Sequence, residues 1–210
     1  RHGLPRELVA ENQRGRIAAG MIAAVAEHGY QEATMARICA AAGVSRRTFY
    51  ERFDSKEACF EETYEIIASH LRSEAREASR TERSWPTRVR ARIGAALDVL
   101  AANPDLARFA LIAPPRAGAA IAARFRAAME ETLEELTADL PKSLARRRPS
   151  RRAEHAILGG GVTLIVAKVE AGEGERLREL LPDLTELALT PYLGRAEAAR
   201  IAAGAPAGKP

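Results

Sequence analysis

The sequence predicts an all-α protein, on three observations. Apolar residues recur at helical spacing through most of the 210 residues. No run of alternating apolar and polar residues is long enough for a sheet. Helix punctuation by Ser and Thr caps, Gly stops and Pro at first turns falls where the spacing breaks. Taken in order, Arg1 to Pro5 is expected to fray. A first helix is expected from about Glu7 to His28, with Ile17, Met21 and then Ala24 or Val25 inward, stopped by Gly29. His28 suits the dipole at that helix end. Arg14 and Arg16 leave two readings open: approach to phosphate or the minor groove, or simple solvation.

The next stretch, Thr34 to Lys56, organises the chain. Thr34 can cap a short helix, Met35 to Ala42, because its hydroxyl accepts from an unpaired backbone N–H. Gly43 can take the positive φ that ends it. After Val44, Ser45 caps a second short helix carrying Arg46, Arg47, Thr48, Phe49, Tyr50 and Phe53. Two short helices joined by a Gly-containing turn form a helix-turn-helix, whose second helix enters the DNA major groove. Phe49 and Phe53, four apart, share its inner face with Val44 and Ile38. Arg46, Arg47 and Tyr50 then point outward. Arg46, Arg47 and Thr48 are the base-facing candidates; Thr34, Tyr50 and Lys56 are the phosphate candidates. Ser45 is counted with them as the cap of the reading helix.

A longer helix is expected from Ser55 to about Arg80, with Phe60, Tyr64, Ile67 and Leu71 on its inner stripe. Pro86 suits the first turn of the next, which ends near Asn103 with Val89, Ile93, Leu97 and Leu100 inward. Asp105 to Ile112 is short and apolar and stops at Pro114-Pro115. Ala117 to Leu140 follows, with Ile121, Phe125, Met129, Leu133 and Leu136 on one side. Lys142 to Arg152, with six basic residues and no aromatic for base stacking, is expected to be a solvated loop rather than a second nucleic-acid patch. Ala153 to Ala171 is apolar nearly all round and should be buried on more than one side. Its Gly159, Gly160 and Gly161 imply close approach of another helix, since each costs ~1 kcal/mol of helix propensity. Glu175 to Leu193 is Leu-rich and must break or kink at Pro182. The Ala-, Gly- and Pro-rich tail from Arg195 should fray.

The run Thr34 … Ile38 … Ala41-Ala42-Gly43-Val44-Ser45 … Thr48-Phe49-Tyr50 … Phe53 … Ser55-Lys56-Glu57 resembles the DNA-binding domain of TetR-type (TetR/AcrR) transcriptional regulators. Arg47, where the family often has Gly, and Arg52, where it often has His or Tyr, depart from the pattern. Both add positive charge near DNA and bear on the operator sequence rather than on the activity. The resemblance covers residues about 14 to 64. It implies an all-α ligand-binding and dimerisation bundle for the rest, so the division expected is 7–56 for DNA binding, 57–193 for ligand and dimer, and 194–210 as a flexible tail. Helix 55–80 would be the connector. Trp85, Phe109, Phe125, Met129 and His155 are candidate ligand-wall residues, with an ordinary core role as the other reading for each. Ile157, Gly160, Gly161, Leu164, Leu180, Leu184 and Leu187 are the candidate dimer face.

Composition agrees with a globular chain. Net charge is +4 with 47% hydrophobic residues, which permits a polyanionic partner, and no apolar stretch approaches the roughly 18 residues of a membrane span. Without an apolar signal segment a cytoplasmic protein is expected. Cys39 and Cys59 lack ligand spacing and read as buried hydrophobes, with a redox switch as the alternative. His2, His28, His70 and His155 are scattered, and no catalytic, metal or phosphate-loop pattern is found, so neither an enzyme nor a cofactor is expected. The function expected is a homodimeric, ligand-responsive repressor on a near-palindromic DNA operator. The alternatives are a non-specific architectural DNA-binding protein, or a helical small-molecule-binding protein whose helix-turn-helix is inactive.

Overall fold

The computed structural model describes residues 13–205, within which all regular structure is helical. The predicted helix start at Glu7, the frayed end Arg1–Pro5 and the last residues of the tail lie outside the described residues. α1 (Gln13–Glu32) turns at Gly29, whose φ of 75° and ψ of 162° are not helical. α2 (Met35–Ala42) starts at Thr34, whose hydroxyl accepts from the Arg37 amide at 3.4 Å. Gly43 closes it in the left-handed region, φ 62° and ψ 39°, as the turn requires. α3 (Arg46–Tyr50) is capped by Ser45, and α4 (Lys56–Ser79) by Ser55, each hydroxyl accepting from the amide three residues on at 3.0 Å.

The chain divides into two compact units: residues 13–70 with 102–126, and residues 71–101 with 127–205. In the first, Ile17, Met21, Ile38, Phe49, Phe60 and Ile67 are fully buried. α1 and α2 approach closely at Gly20, where any Cβ would lie 2.6 Å from the Ala42 amide nitrogen. The middle segment of the chain joins this unit. There α6 (Pro104–Ala107) is capped by the Asn103 side chain, with Pro104 in the first turn. A π-turn, Arg108–Ile112, follows, with the Ala113 amide donating to the Arg108 carbonyl at 3.1 Å. It carries Phe109, stacked on Phe60 at 4.3 Å, while Tyr30 meets the same ring edge-on at 5.2 Å.

The second unit is built on α5 (Trp85–Ala102), with parts of α4 and α7 (Ala119–Thr137), then α8 (Lys142–Ala145), α9 (Arg151–Glu170), α10 (Leu181–Leu193) and α11 (Arg195–Ala202). Trp85 donates from Nε1 to the Leu136 carbonyl at 2.9 Å and meets Tyr192 edge-on at 4.9 Å. Pro182 does not kink a running helix. A 3-10 segment, Gly174–Leu180, ends ahead of it, and Pro182 lies in the first turn of α10, where its missing N–H costs nothing.

Three expectations are corrected here. Residues 195–202 do not fray, because α11 lays Ala198 and Ile201 into the core formed by Trp85, Val89, Leu189 and Tyr192. Although α9 is apolar nearly all round, its buried residues within this chain are only Glu154, Gly161 and Val169. Finally, Lys142–Arg152 is not a purely solvated loop, since α8 and the start of α9 lie in it. Arg148 binds Glu154 at 2.8 and 3.1 Å, and Arg151 binds both Glu154 and Glu130.

Glu154 is only 2% exposed, and it also accepts from the Tyr192 hydroxyl at 2.7 Å. Burial alone would push its carboxyl up, but the bonds from Arg148 and Tyr192 and the charge of Arg148 outweigh burial and hold it below the ordinary value. A carboxyl lower in the folded than in the unfolded chain contributes stability that is full above the unfolded value, about 4.3, and is lost as pH falls from there through the lower folded value. Glu154→Gln should therefore flatten the fall of the urea midpoint below about pH 4.3. An acid limb as steep as that of the unmodified protein would show that Glu154 is not among the groups driving it.

Candidate nucleic-acid interface

α3 is only five residues long, too short to be stable by itself, so its direction is set by what it buries. Phe49 is 0% and Phe53 5% exposed, their rings 5.6 Å apart, while Tyr50, edge-on to Phe49 at 5.5 Å, is 56% exposed. The faces are therefore divided as the spacing predicts. Arg46 and Arg47 are exposed, and Arg46 makes no hydrogen bond or ion pair among the described residues. The Arg47 Nε donates to Glu51 Oε1 at 3.0 Å.

The remaining candidates differ in how free they are. The Thr48 hydroxyl lies 2.9 Å from the Ser45 hydroxyl, so both belong to the cap of α3. Thr34 is exposed and caps α2. Lys56 is half-buried: its ammonium donates to the Tyr30 carbonyl at 3.0 Å and sits 4.2 Å over the Tyr30 ring. Burial, with Glu57 beside it, pushes the Tyr30 phenol well above its ordinary value.

Two roles were not visible from spacing. Arg16 donates to the Gly43 carbonyl at 2.7 Å, clamping the turn between α2 and α3. Arg14 pairs with Glu62 at 2.6 Å and lies over the Phe53 ring at 4.9 Å, so it covers the base of the same core. Arg52 reaches the Gln13 side chain at 3.2 Å. Cys39 and Cys59 are buried, and burial pushes the Cys59 thiol up to about 12, which suits small hydrophobes rather than thiolates.

The five ligand-wall candidates do not fall together in one unit. Phe109 and Phe125 belong to the first; Trp85, Met129 and His155 belong to the second. Trp85 and Phe109 are buried in aromatic contacts, whereas Phe125 and Met129 are half-buried. His155 is exposed, its Nδ1 at 2.7 Å from the Arg151 carbonyl and its Nε2 on Glu130, and these bonds raise its pKa. The second unit holds an open cleft of about 590 Å³ beside Arg76, Arg88 and Arg92. Its arginines are bound within the chain, Arg92 to Asp139 at 3.0 Å and Arg76 to Glu135.

Of the dimer candidates, Ile157 and Leu180 are half-buried and Leu184 and Gly161 buried, while Gly160 is exposed. Leu164 is 43% and Leu187 36% exposed; with Tyr50 they are the exposed large hydrophobic residues among the described residues. The close approach expected at the glycines is partly met inside the chain. A Cβ at Gly161 would stand 3.3 Å from Leu184 of α10, and one at Gly160 4.0 Å from Leu187, but one at Gly159 would meet nothing within 4 Å among the described residues.

Residues 20–63 match the family described as bacterial regulatory proteins, tetR family. No curated protein matches the sequence. Among solved structures, the fatty acid degradation regulator FadR from Bacillus halodurans is similar at 19% identity and a TM-score of 0.74, over 85% of this chain and 97% of that one. FadR from Bacillus subtilis, solved with stearoyl-CoA, is similar at 17% and 0.70 over the same shares. A TetR-family regulator from Bordetella parapertussis is similar at 20% and 0.63, over 82% of this chain and 95% of that one. At these identities the likeness is one of fold. No helix among the described residues is long and apolar enough to cross a membrane.

Phe53 is the sharpest test of how the faces are divided. Phe53→Ala should cost ~3–5 kcal/mol in chemical denaturation, as a buried aromatic truncation does. An unchanged midpoint would mean that the helix faces are assigned the wrong way round.

Proposed function

We propose that this chain, a tetR-family regulator by the match of residues 20–63, is a homodimeric repressor of a near-palindromic DNA operator, answering to a small-molecule ligand. One observation carries it: α3 buries Phe49 and Phe53 and turns Arg46, Arg47 and Tyr50 outward. In this reading Arg46, Arg47 and Thr48 meet base edges, while Thr34, Ser45, Tyr50 and Lys56 approach or support contacts to phosphates. The protein acts in the cytoplasm and catalyses nothing.

Residues 57–193 hold the ligand and the dimer contact, and helix 55–80 links them to the DNA-binding part. The Bacillus subtilis FadR structure contains stearoyl-CoA, so long-chain acyl-CoA thioesters are the first compounds to screen. A ligand acts by its differential affinity for subunit arrangements whose recognition helices are correctly or wrongly spaced. Support for the dimer comes from α9 and α10, whose exposed Leu164 and Leu187 give a self-complementary two-fold contact an apolar centre.

Genome-wide selection of bound fragments tests the whole reading. Enrichment of one motif with half-sites about 34–36 Å apart, or a multiple, is expected. Uniform recovery would favour architectural binding, and no recovery an inactive helix-turn-helix. Within the operator, Arg47→Ala should relax discrimination at one or two positions by ~1–3 kcal/mol. Lys56→Ala should weaken all sequences alike and lower the salt slope. Leu164→Glu should give a helical monomer that loses operator binding. If it still sediments as a dimer, the interface lies elsewhere.

A further inference from the structure

The bond between Arg47 and Glu51 is placed oddly for a stabilising ion pair. Residues four apart on a helix are neighbours, but the favourable order puts the acid first, and here the arginine comes first. Glu51 also sits at the C-terminal end of α3, where a negative charge opposes the helix dipole. Helix stability therefore gains little from it.

What the bond does settle is the arginine. Arg47 is 90% exposed, and its Nε donates to Glu51 Oε1 at 3.0 Å. A guanidinium has five donors in one plane, and with Nε taken the terminal Nη pair remains for an outside acceptor. That pair matches O6 and N7 of guanine, the bidentate contact by which Arg reads this base. An exposed arginine must otherwise lose its rotamer freedom on binding, and one already held loses less. Arg46 makes no hydrogen bond among the described residues that would restrain it in this way.

We infer that Glu51 is a positioning residue for base recognition: it holds Arg47 by Nε so that the Nη pair meets O6 and N7 of one guanine in each half-site. The inference rests on the reading that α3 enters the major groove. It also carries a cost with a distinct signature. Glu51 is 52% exposed and negative beside a polyanion, so it weakens sequence-independent affinity while it sharpens discrimination.

The test is competition binding on a duplex series in which each base pair of the selected operator is replaced in turn, with a random duplex as reference. The proteins compared are the unmodified chain, Glu51→Ala, Glu51→Gln, Arg47→Ala and the double variant Arg47→Ala/Glu51→Ala. Glu51→Ala should lower the preference for guanine about two- to tenfold, at the position where Arg47→Ala lowers it. Affinity for the random duplex should hold or rise. Glu51→Gln, which keeps an acceptor for Nε, should restore much of the preference, and on the Arg47→Ala background the Glu51 change should add nothing. If Arg47→Ala relaxes the preference and Glu51→Ala does not, the inference fails alone. Equal weakening of all duplexes by Glu51→Ala would also overturn it, as the mark of a merely structural role. If Arg47→Ala relaxes no position, the base-reading role falls, and the inference with it.

Discussion

Phe49 is wholly buried at the fourth position of a helix only five residues long, and the outward face of α3 depends on it. Isolated helices shorter than about 12 residues are marginal in water, so α3 has no direction except the one its core contacts give. Those contacts rest on the rest of the unit. α1 and α2 approach so closely at Gly20 that no side chain fits between them. Gly43 turns the backbone through the left-handed region, Arg16 holds the carbonyl of that turn, and Ser45 restarts the helix on the other side. Each end of the turn is tied by a bond that water could not hold in place.

The charges tell a second part of the story. The chain carries 32 Lys and Arg against 28 Asp and Glu, an excess that says little by itself. In the first unit much of the basic charge is already engaged: Arg14 with Glu62, Arg37 with Glu32, Arg52 with Gln13, Lys56 with Tyr30. What α3 leaves available is Arg46 and the terminal nitrogens of Arg47. Such a surface differs from a diffuse basic patch, which gains affinity from every phosphate without telling one sequence from another. Few free donors, one of them held by Glu51, favour selective reading over architectural coating.

The helix-turn-helix was legible because its signals are local. Thr34, Gly43 and Ser45 each act on backbone within three residues, and Phe49 and Phe53 share a face by helical geometry alone. What stayed hidden depends on residues far apart in sequence. Glu154 reads as one charge beside a basic run, and only the fold brings Tyr192 to it and buries it. Residues 195–202 have the composition of a fraying tail. They are helical because Ile201 and its alanine neighbours find a cleft lined by Trp85 and Leu189, which no local pattern reveals. The ligand-wall candidates divide between the two units for a similar reason. Aromatic residues at helical spacing mark burial but not which core they enter, and Phe109 and Trp85 enter different ones.

The case for a partner copy is strongest where the single chain leaves a cost without a return. Three successive glycines in α9 each forfeit ~1 kcal/mol of helix propensity. At Gly161 the return is internal, because Leu184 fills the space a side chain would need. Gly159 has no such neighbour, and a Cβ there would meet nothing within 4 Å among the described residues. A single exposed leucine is ordinary on any protein surface. Leu164 and Leu187 lie on two helices that pack together, α9 and α10. A two-fold dimer in which those leucines met their own copies and a backbone came close at Gly159 would account for both features with one contact.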